Sequence, residues 1–211
     1  GMILELKEVS TFYGQSHILH DVSLTVGQGE VVCLLGRNGA GKTTTLRGIM
    51  GLAPPRSGSI RFRGMEISQK KPFQVARLGI GYVPDDRRIF PDLTVCENLE
   101  LARRVSGRGR VGWTLERIYE LFPVLGAARR RKGLQLSGGE QKMLAIGRAL
   151  AKNPTLVLLD EPAEGLAPLV LQDLVGVLGA IRREGMTILL ADQNIKFCRR
   201  VADRGYILEK G

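Results

Sequence analysis

Apolar and polar positions alternate along ILELKEV (3–9) and again along VSLTV (22–26). That period of two predicts strands with one face buried. VVCLL (31–35) and TLVLLD (155–160) are short continuous apolar runs, and MTILLAD (186–192) is a third. Such runs predict buried strands, the last of them parallel. Residues 57–83 read as further strands ending at GIGYV, and GYILEKG (205–211) reads as a closing edge strand. A glycine-rich loop leads from VVCLL into a helix with Leu46, Ile49 and Met50 on one face. Between 93 and 151 the pattern turns helical, through Leu99, Leu101, Ile118, Leu121, Phe122, Met143, Ile146 and Leu150, with no strand among them. Residues 168–183 set Leu171, Leu174, Val175, Leu178 and Ile181 at three- and four-residue steps, the stripe of an amphipathic helix. Buried strands alternating with helices predict an α/β sheet with helices on its faces. A single domain over 1–211 is expected, with a core of 1–92 and 152–211 and a helical subdomain inserted at about 93–151.

Composition changes this picture little. A chain of 211 residues with 44% hydrophobic content can bury one large core. No apolar run reaches the roughly 20 residues needed to span a bilayer. The opening GMILELKEVS carries Glu5 and Glu8 and does not read as a signal peptide; Gly1 before Met2 reads as an expression scar. Cys33, Cys96 and Cys198 are odd in number and widely spaced. They suggest neither a disulfide framework nor a metal site, and are expected to be small core residues in a reducing compartment.

The net charge of +10 does carry information. Much of it lies in Arg103, Arg104, Arg108 and Arg110 and in the run Arg129 to Lys132. Such runs read as solvated faces, or as a surface near anionic lipid. They lack the interleaved aromatics of a nucleic-acid site, so no nucleic acid is expected as a partner.

The chemistry starts at GRNGAGKT, Gly36–Arg37–Asn38–Gly39–Ala40–Gly41–Lys42–Thr43, which follows a strand and precedes a helix. That context predicts a phosphate-binding loop. Gly39 and Gly41 let successive N–H groups point at phosphate oxygens, and the helix start favours the same anion. Lys42 is expected on the β- and γ-phosphates and Thr43 on Mg²⁺, with Thr44 beside them. TLVLLDEP ends a strand in two acids: Asp160, a candidate Mg²⁺ ligand through water, and Glu161, a candidate base for the attacking water. LSGGEQ (136–141) supplies a second anion-binding helix start, with Ser137 as its N-cap. One chain holding one nucleotide does not need two.

At this string the chain resembles the ATP-binding subunits of ABC transporters, across essentially its whole length and in the family's motif order. The resemblance implies a P-loop ATPase fold with a mostly parallel central sheet, an antiparallel β subdomain and an inserted helical subdomain. It implies ATP and Mg²⁺ as ligands and a head-to-tail dimer, homo- or heteromeric. There Ser137, Gly138, Gly139 and Glu140 of one subunit would complete the ATP site built on Lys42 of the other. Tyr13 in TFYG matches the family's adenine-stacking aromatic. VPDDRRIFPDLTV, DEPAEGLAP, LLADQN and ADRGYILEKG look closer still, like the ATPases of branched-chain amino-acid importers and related urea importers. Two transmembrane permease subunits are implied as partners, with a binding protein acting through them. The implied location is the cytoplasmic face of the plasma membrane.

Two positions and one loop depart from the wider family. Asp85 stands where most members have glutamine, and Gln193 where a switch histidine is usual. The loop Pro162–Pro168 lacks the usual trailing aspartate. Asp85 is a candidate ligand to Mg²⁺ or to the attacking water. Gln193 can hydrogen-bond a γ-phosphate without carrying charge. Arg87 to Leu93 would run along the groove that meets the permease. A non-transport ATPase of the same fold, and a module that binds nucleotide without turnover, stand as the rival readings. The spacing of 95 residues from Lys42 to Ser137 leaves no room for a long coiled coil, which favours transport.

Overall fold

The computed structural model describes residues 1–86, 88–105 and 112–211; Arg87, Arg108 and Arg110, singled out above, lie outside them. Two sheets organise the described chain. The first is antiparallel, in the order β2(Ser16–Gly27), β1(Met2–Tyr13), β4(Ser57–Phe62), β5(Met65–Glu66). The second is parallel throughout, in the order β6(Ile80–Val83), β7(Leu156–Asp160), β8(Thr187–Asp192), β3(Val31–Leu35), β9(Arg204–Ile207).

The continuous apolar runs became β3, β7 and β8, the three inner strands of the parallel sheet. Each is buried on both faces, and its period of two divides its side chains between two cores. Val31 and Cys33, Val157 and Leu159, Ile188 and Leu190 face the first. Val32 and Leu34, Leu156 and Leu158, Leu189 and Ala191 face the second, where the antiparallel sheet and α1(Lys42–Ile49) close over them. The first core takes in α3(Val95–Val105), α4(Leu115–Leu121), α5(Pro123–Ala127), α6(Gly138–Ala151), α7(Pro168–Arg183) and α8(Ile195–Val201). β9 lies at the edge, as its sequence reads.

Two expectations need correction. Residues 57–83 are not all strand: α2(Pro72–Arg77) lies between β5 and β6. Pro72 stands at its first turn, where a missing N–H costs nothing, and the Gln74 side chain accepts from the Lys71 N–H at 2.9 Å. Nor are the cysteines all unpaired. Cys33 of β3 and Cys198 of α8 are joined as a disulfide with their Cα atoms 6.2 Å apart, while Cys96 is free. Both partners are indeed small core residues, but the packing of α8 on β3 brings them together across 165 positions. Spacing along the chain carries no trace of that.

The segment after β6 shows how the helical part is tied on. Asn98, fully buried on α3, accepts from the Phe90 N–H at 2.8 Å and donates to the carbonyls of Phe90, Leu93 and Thr94. Each polar atom of that amide is satisfied, so its burial is affordable and the turn 90–94 is fixed to α3. Ile89 packs against the first core, and the Arg148 guanidinium of α6 lies 4.7 Å from the centre of the Phe90 ring.

Candidate nucleotide site

The site forms where three parallel strands end together: β3 runs into the glycine loop, β7 into Asp160 and Glu161, β8 into Asp192 and Gln193. Ligands of open α/β sheets bind at this edge, beyond the carboxyl ends of the strands. The loop turns sharply at Gly39, with φ +83°, and at Gly41, with φ +105°. A Cβ on Gly41 would also stand 2.7 Å from a Leu19 methyl, so glycine is required there twice over.

Lys42 is 4% exposed, yet its ammonium is fully met. Nζ donates to the Gly36 carbonyl at 2.5 Å and the Arg37 carbonyl at 3.0 Å, and stands 3.3 Å from Glu161 Oε1. The hydroxyl of Thr43 donates to Asp160 Oδ2 at 2.8 Å. Asp160 and Glu161 are 1% and 6% exposed. Burial pushes both carboxyls above their ordinary pKa. At Asp160 the Thr43 hydrogen bond opposes this and the charge of Asp85 adds to it; at Glu161 the nearby Lys42 opposes it.

Each acid also keeps one buried oxygen, Asp160 Oδ1 and Glu161 Oε2, with no protein partner. Orphaned buried carboxylate oxygens beside a hydroxyl form a hard-oxygen donor set open to a divalent cation or an ordered water. Among the described residues no cluster of three or more His, Cys, Asp or Glu forms a self-sufficient metal cage. Two protein oxygens suit Mg²⁺, which keeps several waters and takes further ligands from phosphate.

Glu161 adopts φ +50°, a left-handed backbone that costs a non-glycine residue of order 1–3 kcal/mol. Its N–H donates to the Ala191 carbonyl at 2.7 Å. Asp192, buried at the end of β8, accepts from the Ala163 N–H at 3.1 Å and the Asn194 N–H at 3.0 Å. One carboxylate thereby fixes both the loop after Glu161 and the loop that carries Gln193.

A cavity of about 470 Å³ is lined by Asn38, Gly39, Gly41, Lys42, Thr43, Thr44, Asp85 and Glu161, with Tyr13, Ile18 and Glu164 completing its wall. Tyr13 is 48% exposed, and its hydroxyl lies 3.4 Å from that of Thr44. Gln193, Gly36, Arg37 and Ala40 line a neighbouring cavity of about 760 Å³, which shares Asn38 and Gly39 with the first.

Ser137, Gly138 and Gly139 line neither cavity. Ser137 caps α6: its Oγ accepts from the Glu140 N–H at 3.2 Å and the Glu140 carboxylate accepts from the Ser137 N–H at 2.9 Å. Glu140, expected on nucleotide, is thus occupied in a capping box. Gly139 has a packing reason of its own, since a Cβ there would stand 2.7 Å from a Val170 methyl on α7. Ser137 and Gly138 remain exposed. Sequence reasoning missed Asp192, Ile18 and Glu164 as parts of the site. Asp192 closes an apolar strand in an acid, as Asp160 does, and that was a usable signal.

Residues 19–164 match the ABC transporter family. The chain is 43% identical to the high-affinity branched-chain amino acid transport ATP-binding protein BraG of Pseudomonas aeruginosa, over 99% of this chain and 90% of that protein. It is 37% identical to the lipopolysaccharide export system ATP-binding protein LptB of Escherichia coli, over 99% and 87%. Among solved structures it resembles a dimeric ATP-binding cassette in a post-hydrolysis state bound to ADP and Pi. There the TM-score is 0.86 at 28% identity, over 99% of this chain and 95% of that one.

Proposed function

The chain belongs to the ABC transporter family of ATP-hydrolysing subunits, and from that premise we propose that it powers import of branched-chain or other hydrophobic amino acids. One observation carries the mechanism: Lys42, Thr43 and Glu161 line one cavity, Lys42 paired with Glu161 and Thr43 bonded to Asp160, while the capped end of α6 stays exposed and does not line it. Lys42 leaves its carbonyl acceptors for the β- and γ-phosphates, and the glycine-loop N–H groups hold the same oxygens. Thr43 and Asp160 would hold Mg²⁺, which when bound neutralises phosphate charge. Asp85 faces the same space and bears on the metal or on the attacking water. The Glu161 carboxylate takes a proton from that water as it attacks in line. Gln193 donates to the γ-phosphate from the far side of the loop, and Tyr13 stacks on adenine. Ser137, Gly138 and Gly139 do their work in a second subunit, each chain closing the site of the other.

Among the described residues no helix is long and apolar enough to cross a membrane. In this reading the subunit works on the cytoplasmic face of the membrane, bound to two permease subunits that are served by a binding protein. The substrate assignment is supported by the likeness to BraG along nearly the whole chain. The likeness to LptB supports lipid export as the competing assignment. The two part in one experiment. The protein is purified with the membrane subunits it captures and reconstituted in vesicles. ATP-driven uptake of leucine, isoleucine or valine is expected. Transfer of lipopolysaccharide without amino-acid uptake would overturn the import reading.

A further inference from the structure

Lys142 is a buried cation that the phosphate chemistry above does not use. It lies on α6, five positions past Ser137 (142 − 137), and is 2% exposed. Burying an ammonium is costly unless the fold supplies it with polar partners. Its Nζ donates to the backbone carbonyl of Glu161 at 3.5 Å. Its charge also reaches Asp160, whose carboxyl it draws back toward the ionised form. The Glu161 backbone is therefore gripped on two sides. β8 accepts its N–H at 2.7 Å, and α6 meets its carbonyl. Such a grip is what a left-handed glutamate needs, because that conformation persists only where the surroundings impose it.

The helix that supplies this grip is the one whose capped end carries Ser137. α6 runs unbroken from Gly138 to Ala151 with its capping box intact, so its first turns move as one body. We propose that Lys142 is a positioning residue for Glu161. Through it, the helix that meets nucleotide in one site of the dimer also sets the general base of the other. The inference rests on the reading of Glu161 as the base and of Ser137 as acting in the second subunit. When γ-phosphate draws the Ser137 end of α6, Lys142 carries the displacement to the Glu161 carbonyl of its own chain. Loss of phosphate releases it.

Lys142→Met keeps much of the side chain's length and removes the ammonium. It is expected to lower kcat by about tenfold or more, because small misplacement of a reacting group costs that much. ATP affinity, measured in a Glu161→Gln background, should stay within about twofold. Lys142→Arg should recover part of the rate. A kcat within about twofold of wild type, or an equal loss of affinity and kcat, overturns the proposal. If the Met variant does not fold, Lys142→Gln, which keeps a donor without charge, is put to the same two criteria.

Mixed dimers supply a readout that a merely structural lysine would not move. With Lys142→Met and Glu161→Gln in one chain and a wild-type partner, turnover should equal that of the Glu161→Gln and wild-type pair. Moving Lys142→Met to the chain with the intact Glu161 should remove most of what remains. Equal losses in the two arrangements overturn the proposal. Wild-type turnover in Glu161→Gln alone would instead strike the base assignment beneath it.

Discussion

Glu161→Gln separates the base from everything else the site does. The substitution keeps shape and removes one charge. Lys42 loses its carboxylate partner at 3.3 Å but keeps the Gly36 and Arg37 carbonyls at 2.5 and 3.0 Å, so it is not left unpaired. The buried carboxylate, whose burial already favours its neutral form, gives way to an amide that needs no such compromise. The fold should therefore hold its melting temperature or gain slightly. ATP affinity should hold or rise, since the phosphates no longer compete with a carboxylate for Lys42. Turnover should fall by about 10²–10⁴-fold, the usual contribution of a general base, or about 3–5 kcal/mol of barrier. Phosphate release under saturating Mg-ATP reads the rate, titration with a fluorescent ATP analogue reads the affinity, and gel filtration with Mg-ATP reads dimer formation. Turnover within about tenfold of wild type would refute the assignment. So would a collapse of ATP affinity, which would make Glu161 a binding residue.

Asp85→Ala should reduce Mg²⁺-dependent turnover more than ATP affinity, because Asp85 lines the cavity and its charge bears on Asp160. Equal loss of both, or of neither, in the same two assays would count against its role. Gly139→Ala places a methyl 2.7 Å from Val170 and should cost about 1–3 kcal/mol of stability by overpacking, read as a lowered melting temperature. An unchanged melting curve would show that α7 yields. The raised carboxyls of Asp160 and Glu161 set the pH dependence. Between their ordinary and raised values the folded state holds protons that the unfolded state has released. Stability of the nucleotide-free protein should then fall as pH rises through that window, and Asp160→Asn should flatten the slope. A steeper slope in Asp160→Asn would contradict the sign. The rate should rise with pH through the same window as Glu161 ionises.

Strands and loops were legible where one residue type has one local use. VVCLL, TLVLLD and MTILLAD could only be buried on two faces, and each became an inner strand of the parallel sheet. GRNGAGKT announced a strand-to-helix anion loop because Lys42 and Thr43 have no reason to follow three glycines otherwise. α2 was not legible: a helix of six residues is too short for a period of 3.6 to show, and only Pro72 and Gln74 mark it. The burial of Asn98 and Lys142 was not legible either. Their burial depends on carbonyls of the turn 90–94 and of Glu161, which only tertiary packing brings near. The Cys33–Cys198 pair lies beyond sequence reasoning for the same cause. The stretch GYVPDDRRIFPDLTV was half legible. Its strand does deliver Asp85 to the cavity, while the fastening of Phe90 by Asn98 was hidden.

The central claim is that each chain closes the ATP site of its neighbour through the exposed cap of α6. Two variants test it directly: Lys42→Ala, which spoils phosphate binding, and Ser137→Arg, which spoils the cap. Each alone should be inactive. Mixed together, they form dimers in which the intact Lys42 of one chain meets the intact Ser137 of the other, and ATP hydrolysis should return. If both purified variants are inactive and their mixture stays inactive while forming mixed dimers, the site is not shared between chains and the account is wrong.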